Sequence, residues 1–159
     1  MQNNHIIIDS NGNLEDSLPV AVIDTSYLAS ALLSDFTSDE NLESRTFLQD
    51  LIQKNGQIIV PQLFWFEIGN VLLNASKPKK NGTPARITKA QTDAIFMSLA
   101  ELPIYTDLQP DSEIRSRIFS IAQSENLTYY NATYLELARR KDVPLKTWDS
   151  DLARAAENS

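Results

Sequence analysis

Val20-Ala21-Val22-Ile23-Asp24-Thr25-Ser26-Tyr27-Leu28 is the stretch on which the reading of the fold turns. Its first four residues are apolar and mostly β-branched, the pattern of a strand buried on both faces. The run stops at an aspartate followed by Thr25 and Ser26, and Leu28, Leu32 and Leu33 then open a helical pattern. An acid at the carboxyl end of a buried parallel strand stands where open α/β sheets place their ligands. It equally stands where Asp, Ser and Thr cap helices. The stretch alone supports both readings, and polar residues elsewhere in the chain have to decide between them.

Working outward, the same strand-then-helix unit recurs. Gln57-Ile58-Ile59-Val60-Pro61 reads as a second buried strand, Pro103-Ile104-Tyr105-Thr106 as a third and Leu145-Lys146-Thr147-Trp148 as a fourth. Helices are expected over about 25–33, 39–55, 62–75, 88–101, 111–124, 128–141 and 150–156. Ser38 would cap the second of these and Gly56 would end it. Strands alternating with helices imply right-handed crossovers and a parallel sheet covered on both faces. The expected class is therefore α/β: a three-layer α/β/α sandwich with a central, mostly parallel sheet of four or five strands. Residues 1–19 read as an amino-terminal arm or small hairpin, with Ile6-Ile7-Ile8 and the turn signal Ser10-Asn11-Gly12-Asn13, and 20–159 as a single domain.

Composition removes several chemistries. There is no cysteine and one histidine, His5, so thiolate chemistry, Ser-His and Cys-His pairs and zinc–histidine sites are excluded from the core. Any catalysis must run on carboxylates, hydroxyls, amides and a hard cation. The net charge of −7 argues against nucleic-acid binding through an overall positive field, yet clustered metal-binding carboxylates would also make the count negative. No apolar run approaches the roughly 18 residues of a membrane span, and the start lacks a basic leader region. A soluble cytoplasmic protein is expected.

Three further polar residues stand in apolar surroundings. Glu67 lies in the stripe Leu63, Phe64, Val71 of an otherwise apolar helix. A carboxylate there costs several kcal/mol unless it is paired, hydrogen-bonded or bound to a cation; the plain alternative is a Glu tilted to the stripe's edge and solvated. Asn131 falls among Leu127, Tyr134, Leu135 and Ala138, as structural glue or as part of a site. Asp149 repeats the logic of Asp24 at the end of the fourth strand, with Thr147 two positions before it. Asp151 suits the first turn of the following helix, as cap or surface residue. Asp24, Glu67, Asn131 and Asp149 would then meet at one end of one sheet. Carboxylates crowded together repel, and Mg²⁺ or Mn²⁺ would resolve that repulsion. The reaction class this points to is metal-assisted phosphodiester hydrolysis.

The pieces VIDTSYL around Asp24, VPQLFWFEIGNVL around Glu67, LTYYNATYLELARR around Asn131 and PLKTWDSDLARAA at the end resemble, in order and spacing, the PIN-domain family, particularly its VapC-type toxins of bacterial toxin–antitoxin pairs. The resemblance spans about residues 20–156. It implies a metal-dependent ribonuclease whose acidic quartet holds Mg²⁺ or Mn²⁺ at the carboxyl end of the sheet. Carried onto this chain, Asp24, Glu67 and Asp149 match acidic, metal-holding positions and Ser26 a supporting hydroxyl; Thr147, two positions before Asp149, is expected as a second supporting hydroxyl. Asn131 departs from the pattern, standing where the family has a third aspartate. An amide oxygen can still ligate a hard cation, but it brings no charge and cannot act as a base. Two functions are therefore weighed: an active, attenuated endoribonuclease, and a catalytically impaired PIN domain serving as an RNA- or antitoxin-binding module.

Lys77, Lys79, Lys80, Arg86 and Lys89 form a basic segment with no acid before Asp93. It reads either as a loop contacting the RNA backbone, through Lys77, Lys79, Lys80 and Arg86, or as a solvated connection. The family resemblance further implies a homodimer and a cognate antitoxin whose basic side chain would plug the acidic site.

Overall fold

The computed structural model describes residues 18–33 and 39–157. Its elements run β1 (Val20–Ile23), α1 (Thr25–Leu32), α2 (Asp39–Gln53), β2 (Gln57–Val60), α3 (Leu63–Ala75), α4 (Lys89–Glu101), β3 (Ile104–Thr106), α5 (Ser112–Glu125), α6 (Tyr129–Lys141), β4 (Leu145–Lys146) and α7 (Ser150–Glu157). Every expected element forms, with ends shifted by a residue or two. The amino-terminal arm and the capping role expected of Ser38 lie outside the described residues.

The strands make one four-stranded sheet in the order β3-β2-β1-β4, with every pairing parallel. Its register sets Ala21 opposite Ile58 and Val22 opposite both Ile59 and Leu145. β1 and β2 are central, which is why their side chains from Ala21 to Ile23 and from Ile58 to Val60 are buried on both faces. The chain moves outward from β1 to β2 to β3 and then returns across the sheet to β4. Right-handed crossovers therefore place α1–α4 on one face and α5–α6 on the other. This is the expected α/β/α sandwich, with four strands among the described residues.

Parallel strands all end on one side, so the residues that follow β1, β2 and β4 share that edge. Asp24 follows β1, α3 starts beyond Pro61 at the end of β2, and Asp149 lies just past β4. α6 runs back toward the start of β4, which puts its own first turn, with Asn131, at the same edge.

The corner after β4 is fastened from several directions. The Trp148 ring stacks on Tyr27 at 5.1 Å between centroids, its indole N–H donates to Ser44 Oγ at 2.8 Å, and its backbone N–H donates to Ser26 Oγ at 2.9 Å. On the α5–α6 side, buried Glu136 accepts from Arg117 and Arg140, and Arg140 also reaches Asp107 at 2.7 Å.

Gly56 has a different task from the one its sequence position suggests. The left-handed residue after α2 is Asn55, at φ 53°, whereas Gly56 is placed where a Cβ would come within 2.4 Å of the Pro19 carbonyl oxygen and 2.8 Å of Leu51. Gly56→Ala therefore forces backbone apart where β2 enters the sheet. It is expected to cost about 1–3 kcal/mol, read as a lowered midpoint in thermal or urea unfolding.

Candidate active site

Asp24 is both cap and candidate ligand. Its Oδ1 accepts from the Tyr27 backbone N–H at 2.9 Å, closing the first turn of α1, and from Ser26 Oγ at 2.7 Å. Its Oδ2 accepts from Thr147 Oγ1 at 2.6 Å. Of the two readings of the opening stretch the cap is the one observed, and the same bonds orient the carboxylate. Asp24 is 6% exposed, and burial raises its pKa above the usual carboxylate range. The hydrogen bonds from Thr147, Tyr27 and Ser26 oppose that rise, and the neighbouring charge of Asp149 adds to it.

Thr147 joins the two aspartates. Its hydroxyl donates to Asp24 and accepts from the Asp149 backbone N–H at 2.9 Å. Asp149 Oδ1 accepts in turn from the Leu152 N–H at 2.9 Å in the first turn of α7. Of the two roles expected of Asp151, cap or surface, it takes the second, pairing with Arg154 on the exposed face at 3.0 Å, while Asp149 accepts from the first turn of α7. The reason is spacing: Asp149 immediately precedes the helix, as a cap must.

Glu67 sits at the edge of its apolar stripe. The buried line of α3 is Phe64, Ile68, Leu72 and Ala75, with Leu63, Glu67 and Val71 half-buried beside it. The carboxylate is not simply solvated there. Oε2 accepts from Thr25 Oγ1 at 2.9 Å and from Tyr134 Oη at 2.5 Å, and the two hydroxyl oxygens lie 3.1 Å apart. Tyr134 is 2% exposed, and burial, together with the Glu67 carboxylate, raises its pKa, so the hydroxyl keeps its proton and remains a donor.

Asn131 occupies the first turn of α6, its backbone N–H bonded to the capping Thr128 Oγ1 at 3.1 Å. It is half-buried, three residues before Tyr134 and therefore on a neighbouring line of the helix. Among the described residues no group of three acidic or histidine side chains is close enough to hold a metal ion. The expected crowd of three carboxylates resolves into a pair, Asp24 and Asp149, and a third acid attached to it through Thr25, the residue after Asp24.

Tyr134 and Thr25 are the participants that sequence reasoning missed. Tyr134 counts as an apolar marker in the α6 pattern and Thr25 as a helix starter, and only the crossing of α1, α3 and α6 reveals their hydroxyls as partners of one carboxylate. The basic segment lies elsewhere: it begins after α3 ends at Ala75, roughly 12 Å along the helix axis from Glu67. Lys77, Lys79 and Lys80 are exposed, and Arg86 donates to the Leu33 carbonyl at 3.4 Å.

The donor set is all oxygen, which suits a hard divalent cation. Mg²⁺ commonly takes one or two carboxylates and keeps several waters, so the Asp24–Asp149 pair fits such an ion without a third direct ligand.

Among solved structures, PAE2754 of Pyrobaculum aerophilum superposes with a TM-score of 0.61 at 16% identity, covering 89% of this chain and 83% of that one. VapC20 of Mycobacterium tuberculosis, a toxin that cleaves the sarcin-ricin loop, gives 0.60 at 12% identity over 85% of this chain and 94% of its own. At these identities the likeness is one of fold. A comparison with curated proteins returns no match. The model of the PIN domain, however, matches residues 21–158, nearly the whole of the described fold and every candidate site residue, and the chain belongs to the PIN-domain family.

Proposed function

We propose that this chain is a metal-dependent endoribonuclease of the VapC toxin type, hydrolysing RNA phosphodiester bonds at the carboxyl edge of its sheet. The observation that carries the reading is the Asp24–Thr147–Asp149 arrangement, in which one hydroxyl donates to the Asp24 carboxylate and accepts from the Asp149 backbone N–H just past the ends of two adjacent strands. Asp24 and Asp149 would hold Mg²⁺ or Mn²⁺, with Glu67 and the Asn131 amide completing the polar rim. A bound cation of this kind lowers the pKa of a coordinated water and polarises a phosphoryl oxygen. The chain's own part is to fix the carboxylates: Ser26 and the Tyr27 N–H hold one oxygen of Asp24, Thr147 holds the other, and the start of α7 holds Asp149.

A second reading is favoured by one residue. Asn131 supplies no charge where the family pattern has an aspartate, and its side chain makes no hydrogen bond among the described residues. A protein impaired in this way would bind RNA or an antitoxin without cutting. In either reading the proposed partners are RNA, a cognate antitoxin presenting a basic side chain to the acidic edge, and a second copy of the chain, in the cytoplasm. Lys77, Lys79, Lys80 and Arg86 would contact only a strand of RNA long enough to pass beyond α3.

The test is cleavage of a structured RNA with exposed loops, in Mn²⁺ and in Mg²⁺, by the parent protein beside Asp24→Ala and Asn131→Asp. Cleavage lost in Asp24→Ala supports the nuclease. Cleavage that survives Asp24→Ala sinks the carboxylate mechanism, and an inert parent rescued by Asn131→Asp establishes the impaired form.

A further inference from the structure

We propose that Tyr134 and Thr25 are positioning residues for Glu67: hydroxyls from α6 and α1 hold one carboxylate oxygen, leaving the other for a divalent cation at Asp24 and Asp149 or for its water. The inference rests on the metal-dependent reading above.

Tyr134 Oη and Thr25 Oγ1 each carry one proton and lie 2.5 and 2.9 Å from Glu67 Oε2. A carboxylate oxygen has two lone pairs, so Oε2 can take both protons and is then fully used. The 3.1 Å separation of the two hydroxyl oxygens needs no proton of its own, because both already point at the same acceptor. Oε1 has no hydrogen-bond donor among the described residues. A half-exposed Glu on a helix would otherwise be free to turn into solvent, and two hydroxyls on one oxygen remove that freedom.

The clamp also gives α6 a role that residue 131 does not fill. With an amide at position 131, the helix reaches the acids through Tyr134, one turn further along, and the Tyr134 ring is locked by burial at 2% exposure.

Changing a side chain that orients a metal-binding group typically costs 10- to 100-fold in metal affinity. Titrating the purified full chain with Mn²⁺, followed by the electron paramagnetic resonance of the free ion, is expected to show about tenfold weaker binding for Tyr134→Phe and for Thr25→Val. Thr25→Ser, which keeps the hydroxyl, restores parental binding. In a Glu67→Ala background neither substitution weakens binding further, because both act through the carboxylate that is gone. Melting curves run beside the titration separate loss of fold from loss of affinity, and Thr25→Val probes the clamp even if the buried Tyr134→Phe chain melts early. Parental Mn²⁺ affinity in both Tyr134→Phe and Thr25→Val, or an undiminished effect in the Glu67→Ala background, overturns the positioning role alone, provided that Asp24→Ala has lost Mn²⁺. An Asp24→Ala chain that binds Mn²⁺ as tightly as the parent overturns the metal-dependent reading and the positioning role with it.

Discussion

Asp24→Asn gives a chain that melts at a higher temperature than the parent in the absence of metal and binds Mn²⁺ at least about 100-fold more weakly. The stability gain follows from the raised pKa of Asp24. Below its ordinary value of 3.8 the carboxyl is protonated in both folded and unfolded chains, and parent and variant differ little. As pH rises above that value the unfolded chain ionises first while the folded chain still holds the proton. The folded parent therefore loses stability until its own pKa is passed, and the deficit persists at neutral pH. The substituted amide would carry no charge, and its oxygen could still accept from the Tyr27 N–H and Ser26 while Thr147 accepts from its NH₂. Thermal melts of both chains between pH 3 and 7.5, with and without Mn²⁺, check this. The midpoints should converge at the acid end, and Mn²⁺ should raise the parent alone. A parent that gains stability steadily from pH 4 to 7 relative to the variant would contradict the burial argument.

Asn131→Asp acts in the opposite direction. A carboxylate in the first turn of α6 suits the positive end of the helix dipole, worth about 0.3–1 kcal/mol, so the fold tolerates it. On the proposed reading it adds a negative charge at the sheet edge that carries the acidic pair, and a cation would relieve the added repulsion. Mn²⁺ affinity is expected to rise by about 10- to 100-fold, the range seen when groups around a metal are changed, and cleavage of RNA to rise with it. Isothermal titration with Mn²⁺ measures the first and a single-turnover cleavage assay the second. Unchanged affinity would remove residue 131 from the surroundings of the ion.

Much of this fold was legible because its strands are short, apolar and punctuated by acids or proline. Val20–Ile23 and Gln57–Val60 could be read from β-branched runs alone, since central parallel strands have no solvent face to conceal. The candidate site was most legible at Asp24 and Asp149, where position at a strand end carries the signal. It was less legible at Glu67, because the helical period of α3 cannot distinguish the middle of the stripe from its edge; that depends on how the helix is rotated against the sheet. Tyr134 was hidden for a related reason. A tyrosine in an apolar pattern looks like core until the partner of its hydroxyl is known, and that partner is 67 residues away. The pattern marks Gly56 as a helix stop but gives no hint of its closeness to Pro19, which arises only when β1 and β2 pair.

The sheet order sets the two aspartates on unequal footings. Asp24 follows the central strand, flanked on both sides, whereas Asp149 follows β4, a two-residue strand at the rim of the sheet. Rim segments of this kind open locally at far smaller free energies than a central strand. Here Trp148, stacked on Tyr27, and the fully buried Leu152 and Ala155 of α7 oppose such opening. Thr147 and Asp149 lie beside these anchors, so the geometry of the acidic pair is held by the packing of the last helix rather than by the two-residue strand alone. A cation held by the two carboxylates would add to that fastening, and its binding would raise the stability of the rim.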